Sequence, residues 1–375
     1  MISGIVLALG FSPMVMAIDL FGTTHKFNAA ELSEMTLIER LKVHNWGLEY
    51  LTLGFTIVFI ILFKAGDVYN QYLTTSYLKG LGDVFKKNFF QYGVTEKELY
   101  IKDSSEDYSS YATGRINIAK VNIDIKLKPR HNIFVWVLES VMSFFTDSVV
   151  YPTDKVNIEI TPSPEANLDN FISAVVSKLG MNDFRKFNYF LSLTRTSDSA
   201  NIPESFVLMS EANEFQEKTL TPELKKALTL QAASFLKFIA ITDQPIERPE
   251  TIAECAPKQR ILISTTLTSN GDQLAQLSEI LAAIFNLVDQ LASKQITFKS
   301  DALKKIVKTR ELEISKIKKV LDDVKQEELA AEKAKLKRAE RTNLRNLSRE
   351  EQIKLEKKEA EKKQRKAQRK QRVKM

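Results

Sequence analysis

Three histidines, one cysteine and a terminal run of cations are the residues of this 375-residue chain with distinctive chemistry. His25, His44 and His131 lie far apart, and none accompanies a Ser or Cys in a nucleophile motif. Cys255 is the single cysteine, which excludes an intramolecular disulfide and a Cys-based zinc site. It sits beside Pro257 without a local His and reads as an inert thiol. "KGLGD" (79–83) has two glycines but neither the third of a dinucleotide fingerprint nor the Lys-Ser/Thr of a P-loop, so it reads as a helix-interrupting turn. "SSEDYSS" has acids without the spacing of a calcium loop. No enzyme site assembles, and no cofactor or metal is expected.

The cations are a different matter. Residues 354–375 hold eleven Lys/Arg against three acids, a net +8, while the whole chain carries +7, so everything before Lys354 sums to −1. Basicity belongs to one tail. A helix basic on nearly every side suits phosphates spaced along a groove, where no base needs to be read. Lys362, Lys363, Arg365, Lys366, Arg369, Lys370, Arg372 and Lys374 are the candidate contacts, with ribosomal RNA as the expected partner. Arg365, Arg369 and Arg372 fall at helical spacing on one face, suited to bidentate phosphate contacts. A helix lying on anionic lipid would bring Trp, Phe or Leu on an apolar face, and residues 356–375 contain none.

Two apolar segments must position that tail. "MISGIVLALGFSPMVMA" (1–17) has signal-peptide length and ends on small Ala17. "WGLEYLTLGFTIVFIILFK" follows a short segment, 18–46, and reads as a transmembrane helix over 47–64. From Gly47 to Phe63 its only charge is Glu49, near one end, while Trp46, Tyr50 and Lys64 sit where interfacial anchors belong. Seventeen residues at about 1.5 Å each span roughly 26 Å, close to an endoplasmic-reticulum (ER) bilayer core. A signal followed by one span places residues 18–46 in the lumen and everything from 65 onward in the cytosol, a type I arrangement.

Residues 65–299 read as one α+β domain with a mostly antiparallel sheet, since strands and helices are interspersed without a glycine-rich strand-to-helix turn. A helix over 66–99 lies near the headgroups or feeds into the domain, and 103–114 reads as a polar loop. Alternation over 116–127 predicts a strand with a slip at Ala119–Lys120, and 155–164 predicts another that stops at the prolines. Continuous apolarity over 132–145 predicts a buried helix. The set Leu168, Phe171, Ile172, Val175, Val176 and Leu179 predicts a helix over 167–180. Further strands are expected at Ser205–Ser210, Lys237–Thr242 and Arg260–Thr268, and helices at Pro222–Phe235 and Asp272–Ser293.

From residue 300 the chain becomes a long charged helical or coiled-coil tail. Val307, Ile314, Ile317, Leu321 and Val324 form a short stripe, interrupted by Arg310, that could seat on a partner or on the domain. "SREE" at 348–351 has a capping-box pattern, predicting a break near Thr342–Leu347.

This layout resembles the calumin family, coiled-coil-domain-containing subunits of the PAT complex (protein associated with the ER translocon). "GRINIAKVNIDIKLKPR", "DKVNIEITPSP", "NIPESFVLMSEANEFQEKTL" and "KLEKKEAEKKQRKAQRKQRVKM" carry the resemblance, from about Trp46 to Met375. It implies a non-enzymatic membrane-protein biogenesis factor that pairs with a small multi-span protein, Asterix, and shields polar transmembrane segments of multipass clients. It further implies docking on ribosomes at the Sec translocon. One departure stands out: residues 18–46 hold only Asp19, Glu31, Glu34 and Glu39, where calcium-binding members carry a long acidic luminal region. The alternatives are an ER membrane tether whose basic tail binds anionic lipid, and an ER calcium-handling protein.

Overall fold

A computed structural model describes residues 34–43, 46–95, 97–146 and 151–346, with 361 and 364–365. A short helix, α1 (Leu37–Val43), precedes a 34-residue helix, α2 (Gly47–Gly80). The chain turns at Leu81 into α3 (Gly82–Asn88), so the "KGLGD" turn falls where its glycines place it. Thus α2 is one continuous rod. Its first half is exposed, and its second half buries Asp67, Asn70, Leu73, Thr74, Tyr77 and Leu78 against the domain. The helix expected over 66–99 feeds into the core but stops at Asn88, and Gln91–Tyr92 are already a strand.

That core rests on a ten-stranded sheet in which every described pairing is antiparallel. In chain order its strands are β1 (Gln91–Tyr92), β2 (Ile101–Lys102), β3 (Asp107–Thr113), β4 (Ile118–Lys126), β5 (Lys155–Pro162) and β6 (Ser173–Ser177), then β7 (Arg195–Ser197), β8 (Phe206–Ser210), β9 (Leu236–Thr242) and β10 (Arg260–Thr266). They lie side by side as β1-β3-β4-β5-β10-β9-β6-β8-β7, with β2 also pairing on β3. The slip foreseen at Ala119–Lys120 is a register shift between Ile118 and Lys120. One face of the sheet, with Ile123, Ile125, Ile158 and Ile263, packs on the second half of α2, on α3, and on α8 (Pro222–Ala227) and α9 (Gly271–Ala292). On the opposite face α5 (Met181–Phe187) and α6 (Tyr189–Ser192) cover Val176, Met209, Phe238 and Ala240. A third cluster around Phe171, Phe215 and Ile306 joins α7 (Asn213–Thr219) to α10 (Ser300–Asn346), the 47-residue helix that leaves the domain.

Three expectations need correction. Residues 167–180 are not a helix: they contain β6, buried at all five positions between β8 and β9. A central strand covered on both faces reads as a continuous apolar run, which periodicity cannot separate from a helix face. Leu179, placed on the apolar face of that helix, is 85% exposed. Residues 103–114 are not merely a loop, because β3 occupies 107–113 and turns Tyr108, Ser110 and Ala112 inward. Its buried face carries a serine, whose hydroxyl donates to the Leu99 carbonyl oxygen at 2.6 Å, so the alternation is muted in the sequence. The helix over Pro222–Phe235 is shorter, α8 ending at Ala227 with a separate 3-10 turn at Gln231–Ser234.

Candidate membrane-facing site and charged tail

The apolar half of α2 and one further helix form a single exposed surface. Helix α4 (Ile133–Phe145) starts under an Asn132 cap whose side chain accepts from the Val135 amide at 3.3 Å. The sequence predicts a helix buried in the protein here. The helix is present, but none of its side chains is buried. Its partly covered positions are Val135, Trp136, Glu139, Ser140 and Ser143, which include every polar residue of the helix. Phe134, Val137, Leu138, Val141, Met142, Phe144 and Phe145 are exposed. A surface helix in water shows the reverse arrangement, polar side outward. Here the polar residues lie inward and the outer face is apolar, and an apolar patch of this extent marks a membrane or partner contact. Phe134 stacks at 6.1 Å on Phe59 and lies 6.1 Å from Phe55, tying α4 to the apolar half of α2.

A polar knot fixes the junction of the two helices with the sheet. Asn70 donates to the carbonyl oxygens of Ser105 (2.9 Å) and Lys128 (3.2 Å), and Arg130 donates back to Asn70 Oδ1 at 3.1 Å. The Arg130 fork also grips both oxygens of Asp154, at 2.8 and 2.6 Å. Burial works against the Asp154 carboxylate, but the Arg130 fork and the Lys128 amide together hold it below the usual range. Asp67 is likewise held low against burial by its bond to Lys102. Asp154→Asn should therefore lose about 2 kcal/mol of stability at neutral pH, the typical worth of hydrogen bonds to a charged group. Because the folded-state value is depressed, this contribution is present above the ordinary carboxylate range of about 4 and vanishes as pH falls through the lower folded value. Melting curves of wild type and variant should converge on acidification; a constant gap would contradict the assignment.

Gly66 is where α2 meets this knot. A Cβ there would stand 2.3 Å from the Arg130 carbonyl oxygen, a backbone atom that cannot swing away. Gly66→Val should destabilise the full chain in detergent by about 1–3 kcal/mol through overpacking. It should also disturb the edge-on contact of Phe63 with His131, now 5.0 Å between ring centres. Wild-type thermal stability in that variant would show that the close approach is not formed.

Among the predicted anchors, Trp46 donates its indole N–H to the Leu41 carbonyl oxygen at 2.9 Å. Tyr50 and Lys64 are exposed, and Glu49 lies in the first turn of α2, where a carboxylate complements the helix dipole. They mark the two ends of the exposed rod and are not gathered into one site. Helix α9 is also long and apolar enough to cross a membrane, but over half of that stretch is buried in the core. His131 approaches Glu106 at 3.8 Å and sits in the junction rather than in a cleft with a nucleophile. Cys255 donates to the Thr251 carbonyl oxygen, and burial pushes its thiol up, away from reactivity. No group of three or more potential metal ligands occurs among the described residues.

Helix α10 connects the domain to the tail. Arg310, read from the sequence as an interruption, is its anchor. The guanidinium makes two bonds to Glu211 (2.7 and 3.0 Å) and two to Asp243 (2.8 and 3.1 Å). The stripe is split: Val307 and Val324 are exposed, Ile314, Ile317 and Leu321 are partly covered, and Ile306, outside it, is the buried position that joins the domain. Beyond Lys316 the side chains described up to Ala339 are almost all exposed, and the helix runs on to Asn346, about 45 Å at 1.5 Å per residue. It is continuous through Thr342–Asn346, where a break is predicted; Leu347 and the "SREE" box lie outside the described residues. Of the eight candidate phosphate contacts, Arg365 is described, helical and exposed. Lys362, Lys363, Lys366, Arg369, Lys370, Arg372 and Lys374 lie outside the described residues, as does the signal-like segment 1–17.

Together these features define a class: an α+β domain built around one end of an exposed, membrane-length helix, with a second apolar helix beside it and a long charged helix projecting away. The chain belongs to the family of PAT complex subunit CCDC47, whose model matches residues 45–366. It is similar to a UPF0674 endoplasmic reticulum membrane protein of Saccharomyces cerevisiae, 26% identical over 328 residues that cover 79% of this chain and 81% of that protein. A UPF0674 endoplasmic reticulum membrane protein of Schizosaccharomyces pombe is 26% identical over 296 residues, covering 76% of this chain and 79% of its own.

Proposed function

We propose that this protein is a non-enzymatic subunit of a PAT-type complex in the ER membrane that assists insertion and folding of multi-span proteins on translating ribosomes. The observation that carries the reading is the inverted helix α4, polar toward the protein and apolar outward, joined through Phe134 to the apolar half of α2. Such a pair needs lipid or a membrane-embedded partner to cover it. An Asterix-like small multi-span protein is the partner this reading assigns to that surface. Gly47–Lys64 spans the bilayer with its N-terminal end in the lumen, and residues 65–375 face the cytosol. The tail then reaches ribosomal RNA beside the Sec translocon, carried outward on α10.

Protease added to intact microsomes tests the arrangement. Digestion should remove the C-terminal domain and tail and leave a small membrane-protected fragment that includes the first half of α2. Complete protection of the domain would overturn the topology, and with it ribosome binding from this side. Crosslinking of native membranes should join α4 and the first half of α2 to a small multi-span protein; crosslinks confined to the sheet would move the partner surface there.

A further inference from the structure

The sheet is covered unevenly. Helices α5 and α6 shield the second face over β6 and β8, and an open cleft of about 920 Å³ lies over β4, β5, β10 and the start of β9. One wall is Phe184 and Phe187 of α5 with Leu179; across from them are Tyr151 and Ser143, the latter on α4. The floor is polar because β4 and β5 alternate, sending Asp124, Asn157 and Glu159 outward while their isoleucines fill the core.

Two lysines at one end of this cleft are not explained by the fold. Lys155 opens β5 opposite another cation, Lys126. Lys237 is the extra residue of a bulge on β9: Phe238 faces Ser264 and Leu236 faces Thr265, leaving Lys237 unpaired and re-aimed into the cleft. Both ammonium groups are partly buried, and neither makes a hydrogen bond or ion pair among the described residues. The adjacent Asp154 is already taken up by the Arg130 fork. Burial, reinforced by Lys155 and only partly offset by Asp154, pushes Lys237 down to about 8. Two unneutralised cations side by side in a cleft cost stability unless an anion joins them.

The position of the cleft says which anion. Lys155 follows Asp154, whose Arg130 partner lies against Gly66, two residues past Lys64. The wall helix α4 begins beside Phe55 and Phe59, within the apolar half of α2. The lysine end therefore opens at headgroup level, with apolar side chains leading away from it. Further in lies the opposite charge. Asp124 sits across from Asn157, two residues along β5 from Lys155, about 7 Å at strand rise. Burial pushes its carboxyl up, Glu159 adds to this, and it makes no hydrogen bond or ion pair among the described residues.

We infer that this cleft holds the headgroup of an amino-headgroup glycerophospholipid, phosphate on Lys155 and Lys237, ammonium toward Asp124, and acyl chains along α4. The inference rests on the reading of Gly47–Lys64 as a membrane span. It differs from the proposed function in needing neither ribosome nor protein partner.

Binding of dihexanoyl-phosphatidylethanolamine to the detergent-purified full chain tests it, with dihexanoyl-phosphatidylglycerol, phosphoethanolamine and inorganic phosphate as comparisons. Saturable binding should weaken at least tenfold in Lys155→Met/Lys237→Met. Asp124→Asn should erase the preference for the ethanolamine lipid over the glycerol lipid. Lys155→Arg/Lys237→Arg should keep binding, which separates charge from packing. On the wild-type chain, a photoactivatable phosphatidylethanolamine should label peptides containing Ser143, Tyr151 or Phe187. Unchanged affinity in the methionine variant, or labelling confined to α2, overturns the site. Equally tight binding of phosphoethanolamine or inorganic phosphate overturns the lipid and leaves a soluble phosphate-bearing ligand. Failure of the microsome experiment with lipid binding intact would instead fault the topology alone.

Discussion

Co-sedimentation of the full chain with ribosomes should collapse when Arg365→Glu, Arg369→Glu and Arg372→Glu are combined. The substitution removes three cations from one helical face and replaces them with repulsion, taking the tail from +8 to +2. If about six of the tail's cations neutralise phosphates, wild-type affinity falls on the order of a thousandfold between about 50 and 200 mM salt. Losing three of six contacts should roughly halve that logarithmic slope, because each contact contributes about 0.9 to it. Membrane insertion and the melting of the domain should be unchanged, since all three substitutions lie beyond α10 in the sequence. A mutant that still pellets with ribosomes at moderate salt would place the contact in the α+β domain. A wild type that ignores ribosomes but binds protein-free anionic liposomes through this tail would favour a lipid tether.

The second large effect concerns how the tail is aimed. Arg310→Leu should free the base of α10, because it strands two carboxylates whose side chains are 7% (Glu211) and 1% (Asp243) exposed. Breaking a buried ion pair from one side costs about 3–5 kcal/mol, a large part of the roughly 5–15 kcal/mol that holds a typical domain together. Hydrogen exchange should accelerate over residues 300–316, while β5, β9 and β10 stay protected. Arg310→Lys should recover only part of the loss, since an ammonium cannot reproduce the two-sided fork. The defect should also depend on pH. Burial already pushes the Glu211 carboxyl up, against the pull of Arg310, and without the arginine it rises further. A raised folded-state value makes the folded chain bind more protons than the unfolded one, so stability falls as pH rises through that interval. The leucine variant should therefore be firmer near pH 5 than near pH 8. Equal exchange rates at 300–316 in wild type and variant would show that Ile306 and its neighbours, not the ion cluster, seat the helix. In the reading proposed for this protein, the variant keeps its ribosome affinity but loses the fixed direction of approach.

Much was legible from local pattern. The exposed half of α2 announces itself by seventeen residues with one charge, because apolarity at that length has few other uses. Strand β5 follows its own alternation and helix α9 its helical spacing, β8, β9 and β10 are short apolar runs, and the slip in β4 shows as a break in alternation. The tail's charge is a sum over residues and needs no fold at all. Strand β6 is hidden from the sequence because neighbours on both faces erase the period that tells strand from helix. β3 is hidden because a serine and an alanine suffice on its buried face. For α4 the sequence determined a helix and its apolarity, but not its surroundings, since an apolar face looks the same whether protein or lipid will cover it. Arg310 looked like a flaw in a stripe because its partners come from positions 211 and 243, brought near only by the packing of β8 and β9. The Lys155–Lys237 cleft depends on a bulge and on where α5 stops covering the sheet. Local energetics fix period, charge and length within a dozen residues, whereas burial side, ion partners and clefts are set by contacts between segments a hundred residues apart, which only the tertiary structure decides.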